Sequence, residues 1–250
     1  MFLPSFKPPG SDRATLDRAA EDLCREFDLA GGAQGSWGNW SRLRDLRPGH
    51  PAFVLRRTGA DQRLGLDTQR WDIRGGDGGG GEGGLPTTRL MGVAQPWWRR
   101  LAMRPAQRCL IPVTACTVPL PLRDGRDRER GSGRDGRSAW FSLVDEPVFT
   151  IAGLWRDTGD ARCFAMLGCP ADAPLSVQPV VIAPADRARW LDADWDAAAP
   201  LLAPVAAERI RIGLPETLLS EAGPALYAQN GHDRPWHPAA TLPSGTVSGR

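Results

Sequence analysis

From residue 108 to residue 183 the chain is a succession of short apolar runs: RCLIPVTACTVP (108–119), AWFSLV (139–144), VFTIAGLW (148–155), RCFAMLGC (162–169) and VQPVVIA (177–183). Short runs rich in β-branched and aromatic residues, bounded by turn formers, specify strands, because an amphipathic helix needs a longer stretch with 3.6-residue periodicity. In the first run, Leu110, Ile111 and Val113 suit a buried strand, and Pro112 suits an edge or a bulge in it. Upstream, Ala52–Arg56 and Leu64–Ile73 read as two further strands, and ERIRI (208–212) as a last one.

Helical signals are few. Leu16, Ala19, Ala20, Leu23 and Phe27 recur at helical spacing behind Ser11 as N-cap, and Gly31–Gly32 follow, which predicts a helix over Ser11–Leu29. PADRARWLD (184–192) begins with proline at a first-turn position, and a short helix is expected over Trp195–Leu202. Many short strands with few helices make this an α+β chain: one mixed, mostly antiparallel sheet or barrel with short flanking helices. At 250 residues it is long enough for one well-filled domain. That domain is expected over 1–214, followed by a loose tail over 215–250 in which turn-forming and polar residues dominate.

Two stretches resist regular structure. GGDGGGGEGG (75–84) carries too much backbone entropy, and it lacks the lysine and hydroxyl of a phosphate-binding loop, so a flexible surface loop is expected. RDGRDRERGSGRDGR (123–137), six arginines against four acids, reads as a solvated tip between the strands at 108–119 and 139–144.

Arginine carries nearly all the positive charge, Lys7 being the sole lysine, and net charge is only +2. Nucleic-acid affinity would therefore need a local patch. The five cysteines, Cys24, Cys109, Cys116, Cys163 and Cys169, form no CxxC pair and no zinc-ligand spacing. They are expected to be buried structural thiols in a reducing cytoplasm. No apolar run approaches a membrane span. Neither a metal nor a cofactor is expected, and the chain is expected to be a monomer.

Several of these segments, taken in order, resemble the SOS-response-associated peptidase (SRAP) family of abasic-site processing proteins. RCLIPVTACTVP resembles the family's RCLIPadgFyEW motif, and VFTIAGLWRD (148–157) its PFAFAGLWe strand. RCFAMLGCPAD resembles fTIiTTeaN, and VQPVVIAPADRARWLD resembles RMPViLpPedydrWLd. PGHPAFVLRR (48–57), TQRWDI (68–73) and LPTTRLMGVAQPWWRRL (85–101) resemble the upstream blocks PdyPApivR, aRWGfp and pvTNvRntsSPfWrpwL. The resemblance covers about residues 1–212 and rests on the order of the blocks.

The resemblance implies chemistry centred on a cysteine at position 2. Its exposed amine attacks the aldehyde of an abasic site in single-stranded DNA, and its thiol closes a thiazolidine ring; an Asn, a Glu and a His position it and shuttle protons. Carried over residue by residue, the nucleophile position is Phe2 and the Asn position Arg89, while the Arg of that motif falls on Met91. The Glu position is Val118 and the His position Leu175, or Pro174 with a one-residue shift. Groups that act as a unit fail as a unit, so this chain is expected to be a degenerate member without the family reaction.

What the resemblance leaves in place is a frame for single-stranded DNA: Trp71, Arg89, Arg99, Arg100 and Arg108. An aromatic face beside phosphate-binding arginines is what such a groove needs. For Trp71 base stacking and packing are evenly balanced, for Trp97 and Trp98 packing is favoured, and Trp140, Trp155, Trp190 and Trp195 are assigned to the core. Two other readings stand beside this one. One is an active enzyme using another nucleophile, such as Cys116 with its pKa lowered by Arg89; the other is an interaction protein with no nucleic-acid role.

Overall fold

The structure, a computed structural model, describes residues 12–29, 45–73, 87–120, 138–172 and 175–213. Phe2, Ser11, Pro174, the glycine run 75–84, the arginine-rich stretch 123–137 and the tail 215–250 lie outside these residues.

In chain order the elements are β1 (Ala14–Thr15), α1 (Ala20–Glu26), β2 (Asp45–Leu46), β3 (Pro51–Thr58), β4 (Arg63–Arg70), β5 (Arg89–Met91) and α2 (Pro96–Ala102). Then follow β6 (Arg108–Val113), β7 (Ala115–Pro119), β8 (Ser138–Leu143), β9 (Phe149–Asp157), β10 (Arg162–Pro170), β11 (Val177–Pro179) and β12 (Val181–Ile182). The last elements are α3 (Arg187–Asp192), α4 (Trp195–Ala198) and β13 (Ile210–Gly213), with single 3-10 turns between some of them. The α+β architecture with a mostly antiparallel sheet core is as the sequence pattern predicts.

Two sheets carry the fold. In the larger, β10 pairs with β4, β4 with β3, β3 with β6, β6 with β9, and β9 again with β10, so these strands close a ring. Strands β5 and β11 extend it beside β10, and β12 extends it beside β9. The smaller sheet runs β13-β8-β7-β1-β2. All pairings are antiparallel except those of β10 with β4 and β5.

The apolar run at 108–119 is not one strand. It breaks at Thr114, whose amide donates to the Thr15 carbonyl at 2.7 Å, and its halves belong to different sheets. β6 pairs along its length with β9 but with β3 only at Leu55↔Leu110. At Pro112 the strand has β9 alone as partner, and this is how a residue without an N–H is tolerated.

The helix expected over Ser11–Leu29 is shorter than predicted. Ala14 and Thr15 are drawn into β1 by pairing with both β7 and β2, and only Ala20–Glu26 is helical. Leu16 is fully buried all the same, so the periodic apolar set serves the core in two conformations. Tertiary hydrogen bonds outweigh a modest local helix preference.

Register assigns the faces of the ring. Val54 and Arg56 on β3, Asp67 and Gln69 on β4, Cys109 and Ile111 on β6, Gly153 and Trp155 on β9, and Phe164 and Met166 on β10 share one side. Gly153 is required there: a Cβ would lie 2.4 Å from Ile111 Cδ1 and 3.0 Å from Cys109 Sγ. The other side is covered by α2 and α3, with the Trp190 indole N–H donating to the Cys109 carbonyl at 2.9 Å. Trp140 and Trp190 are buried as expected, while Trp155 and Trp195 are half-buried against the core.

Candidate functional site

The seam between the two sheets brings together two of the positions singled out by the sequence, Arg89 and Val118. β5 brings Arg89 beside β10 at Met166, and the Arg89 side chain reaches across to β7, donating from Nη2 to the Thr117 carbonyl at 2.6 Å. Val118 is the next residue along β7 and is fully buried. Leu175 is buried on the turn leading into β11, its amide donating to the Asp172 carbonyl at 3.1 Å, and β11 in turn packs against β7. Phe2 is outside the described residues.

Asp12 completes this seam, and nothing in the sequence points to it. Its Oδ2 accepts from the Thr88 hydroxyl at 2.6 Å, and its Oδ1 lies 3.4 Å from Arg89 Nη2. The Arg89 side chain is only 7% exposed and that of Asp12 3%, so the charges sit in a low-dielectric site and depend on each other. Arg89 Nη1 is buried with no hydrogen-bond partner among the described residues. Thr88 also accepts the Trp71 indole N–H at its carbonyl, 2.8 Å away, which links the ion pair to the ring.

The guanidinium and carboxylate of the seam are turned on each other, and Val118 and Leu175 offer only aliphatic surface. Cys116, the alternative nucleophile, has no exposed surface, so the expectation of a reactive thiol at this position is corrected. The other four cysteines are also free and buried, as expected of structural thiols. Burial pushes the Cys163 and Cys169 thiols up to about 11, and it drives Cys109 further still against the opposing Arg56 charge. Such thiols are protonated and inert at neutral pH.

Two expected DNA contacts are also corrected. Trp71 has no exposed surface and stacks on Phe164 with ring centroids 6.2 Å apart, so neither face is open to a base. Arg108 is 1% exposed. It donates from Nε to the Ala102 carbonyl at 2.6 Å, and from Nη1 to the Trp190 and Ala193 carbonyls at 3.0 and 2.7 Å. These are C-terminal carbonyls of α2 and α3, which a helix cannot satisfy internally. Arg108 therefore locks two helix ends onto β6, and Trp190 and Trp195 flank its guanidinium at 5.4 and 5.7 Å. Burial lowers its pKa, with Asp194 opposing the shift.

Arg99 and Arg100 are different: both are exposed on α2, a helix with no acid in its first turn. Arg104 is exposed just beyond it. Trp97, half-buried on the same helix, meets Trp98 edge-on at 4.2 Å and carries the Arg156 guanidinium 5.6 Å from its ring. Trp98 is buried, as packing predicts. Arg104 and Arg156 escaped the sequence reading. For Arg156 a signal existed, since strand alternation puts it on the face opposite Trp155, where α2 packs.

Among the described residues no cluster of side chains is arranged to hold a metal, and no helix is long and apolar enough to cross a membrane.

No protein-family model matches the chain, and no curated protein matches it in sequence. Solved structures do share its fold. A protein of Bordetella bronchiseptica, 20% identical, superposes with a TM-score of 0.58 over 81% of this chain and 98% of its own. A protein of Bacteroides thetaiotaomicron, 13% identical, gives 0.58 over 80% and 90%. A phage-related protein of Bordetella bronchiseptica, 15% identical, gives 0.58 over 80% and 92%. These likenesses establish a shared single-domain fold.

Proposed function

We propose that this chain is an SRAP-like protein that has lost the abasic-site chemistry and retains binding to single-stranded DNA, on the face of α2 and not in the seam. The observation that carries the binding half is the α2 surface: Arg99, Arg100 and Arg104 exposed together beside the half-exposed, Arg156-backed ring of Trp97. Cations for phosphates beside an aromatic face for a base are the two elements of single-strand recognition, and each stacked base is worth about 1–3 kcal/mol. The loss of chemistry is supported by what fills the positions carried over from the resemblance. Arg89 is held by Asp12 and Thr117, and Val118 and Leu175 are buried aliphatics. The protein is proposed to act as a cytoplasmic monomer in the response to DNA damage.

The test is fluorescence anisotropy with an unmodified single-stranded oligonucleotide across a salt series. Replacing both Arg99 and Arg100 by alanine is expected to flatten the log–log salt dependence by about 1.4, from roughly 0.7 per lost phosphate contact. In parallel, an abasic oligonucleotide incubated with the protein and boiled in SDS is expected to give no shifted band. A shifted band overturns the loss of chemistry. An unchanged salt slope overturns the α2 assignment, and absence of binding favours the DNA-independent interaction reading.

A further inference from the structure

The side of the ring turned away from α2 and α3 is its inside, and one end of that inside is polar. Arg56 on β3, Asp67 and Gln69 on β4, Trp155 on β9 and Arg162 at the start of β10 share it. Asp67 organises this end. Its Oδ2 accepts from Arg56 Nε at 2.8 Å, from Arg162 Nη1 at 2.6 Å and from Gln69 Nε2 at 3.2 Å. Its Oδ1 accepts from the Thr68 amide at 2.9 Å. Arg56 also lies over the Trp155 ring, 4.4 Å from its centroid, and so ties the indole to the same network.

Two polar atoms of this network are buried without a hydrogen-bond partner among the described residues: Gln69 Oε1 and Trp155 Nε1. Gln69 is only 2% exposed. Turning the side chains relieves neither atom. With the carboxamide reversed, its oxygen would face Asp67 Oδ2 and two acceptors would meet. The indole has a single N–H to place. Trp71 and Trp190, the indoles with no exposed surface, donate theirs to the carbonyls of Thr88 and Cys109 at 2.8 and 2.9 Å. A buried donor and a buried acceptor left unmet are costly, and such groups mark places where a small polar molecule is held.

We propose that the inside of the ring binds one resident water molecule, which accepts from the Trp155 indole N–H and donates to Gln69 Oε1. The ring has five strands, β10, β4, β3, β6 and β9. Side chains just fill a barrel of about eight strands, so in this narrower one those of β4 and β9 converge. Opposite Gln69 in the β3–β4 register stands Ala52, whose side chain is a single methyl. Two arginines against one carboxylate leave a surplus positive charge, which would suit an anion. An anion, however, has no proton to give to Gln69 Oε1. Water accepts from one group and donates to the other, and it matches the leftover pair. The inference does not depend on DNA binding at α2.

The experiment is solution NMR on the full chain with isotope-labelled tryptophan, reading cross-peaks between indole protons and the water resonance. Trp155 is identified as the signal that Trp155→Phe removes. In the wild type its indole proton is expected to give a cross-peak of the sign that marks a water held longer than about a nanosecond. The indoles of Trp71 and Trp190, already bonded to carbonyls, are expected to give none. Gln69→Met keeps the volume and removes the acceptor, and it is expected to weaken the Trp155 cross-peak at least about threefold while the Trp190 signal stays in place. Gln69→Leu is the second variant, used where the Trp190 signal shows that the first has lost its fold. Absence of the cross-peak in the wild type overturns the inference. A cross-peak that survives unchanged when Gln69 is replaced overturns it as well, because the water would then be held by another group.

Discussion

Replacing Arg108 by methionine tests whether this buried cation is a structural clamp or a displaced DNA ligand. Methionine keeps most of the volume and can follow the same path between Trp190 and Trp195, so packing loss is small. What disappears is the donor set. The carbonyls of Ala102, Trp190 and Ala193 lose partners at 2.6, 3.0 and 2.7 Å in a place where the arginine is 1% exposed. An unsatisfied buried acceptor costs about 1–3 kcal/mol, so three give at least about 3 kcal/mol. Against this stands the relief of no longer burying a cation, a relief signalled by the lowered pKa of Arg108. A net destabilisation of about 3–5 kcal/mol is expected, the range for removing one side of a buried charged network. Arg108→Lys is expected to fall between methionine and wild type, because a point-like ammonium cannot reproduce the fork that spans two helix ends. The assay is equilibrium urea unfolding followed by far-UV circular dichroism. A loss below about 1 kcal/mol would mean that the carbonyls are solvated without Arg108, and the clamp argument would fail. Single-stranded DNA affinity of the folded variant is expected to stay within about twofold of wild type; a drop in the salt slope near 0.7 would restore Arg108 as a phosphate contact.

Other outcomes follow from the same geometry. Trp97→Ala is expected to weaken single-strand binding by about 1–3 kcal/mol and to cost less stability than Trp71→Ala, which destabilises by about 3–5 kcal/mol, both read from parallel binding and unfolding curves. None of the five thiols is expected to react with an aromatic disulfide reagent at pH 8 in native buffer, and all five in urea, since burial raises the pKa of Cys163 and Cys169 to about 11. Burial raises the Asp67 carboxyl, but bonds from Arg56, Gln69 and Arg162 outweigh it and leave the pKa below its usual value. Its folded pKa being the lower one, its contribution is present above the unfolded value of about 3.9 and is lost as pH falls through the folded value; Asp67→Asn should remove that part of the acid limb in a stability–pH profile.

Local pattern was sufficient for much of the fold. Run length and β-branched content place β8, β9 and β10 within a residue or two of their observed limits, and proline placed the start of the 184–192 helical segment. It failed at Ala14–Thr15, where helical spacing was real but pairing with β7 and β2 decided the conformation. It failed again at Thr114, where one continuous apolar run supplies two sheets. For the site, the exposed pair Arg99–Arg100 was legible because an arginine pair on a short helix with one apolar face has only solvent to turn to.

Strand periodicity, turn residues and cysteine spacing are properties of neighbours along the chain, and they settle the α+β class, the strand content and the absence of a zinc-type cysteine pattern. Whether an arginine or tryptophan meets solvent is a property of neighbours in space. Trp71 and Arg108 look like ligands for DNA until Phe164 closes over one and carbonyls from residues 102, 190 and 193 close over the other. Asp12 and Arg89 are 77 positions apart, and no local pattern marks them as partners. Only the closing of the ring and the pairing of β1 between β7 and β2 bring those charges into one buried seam.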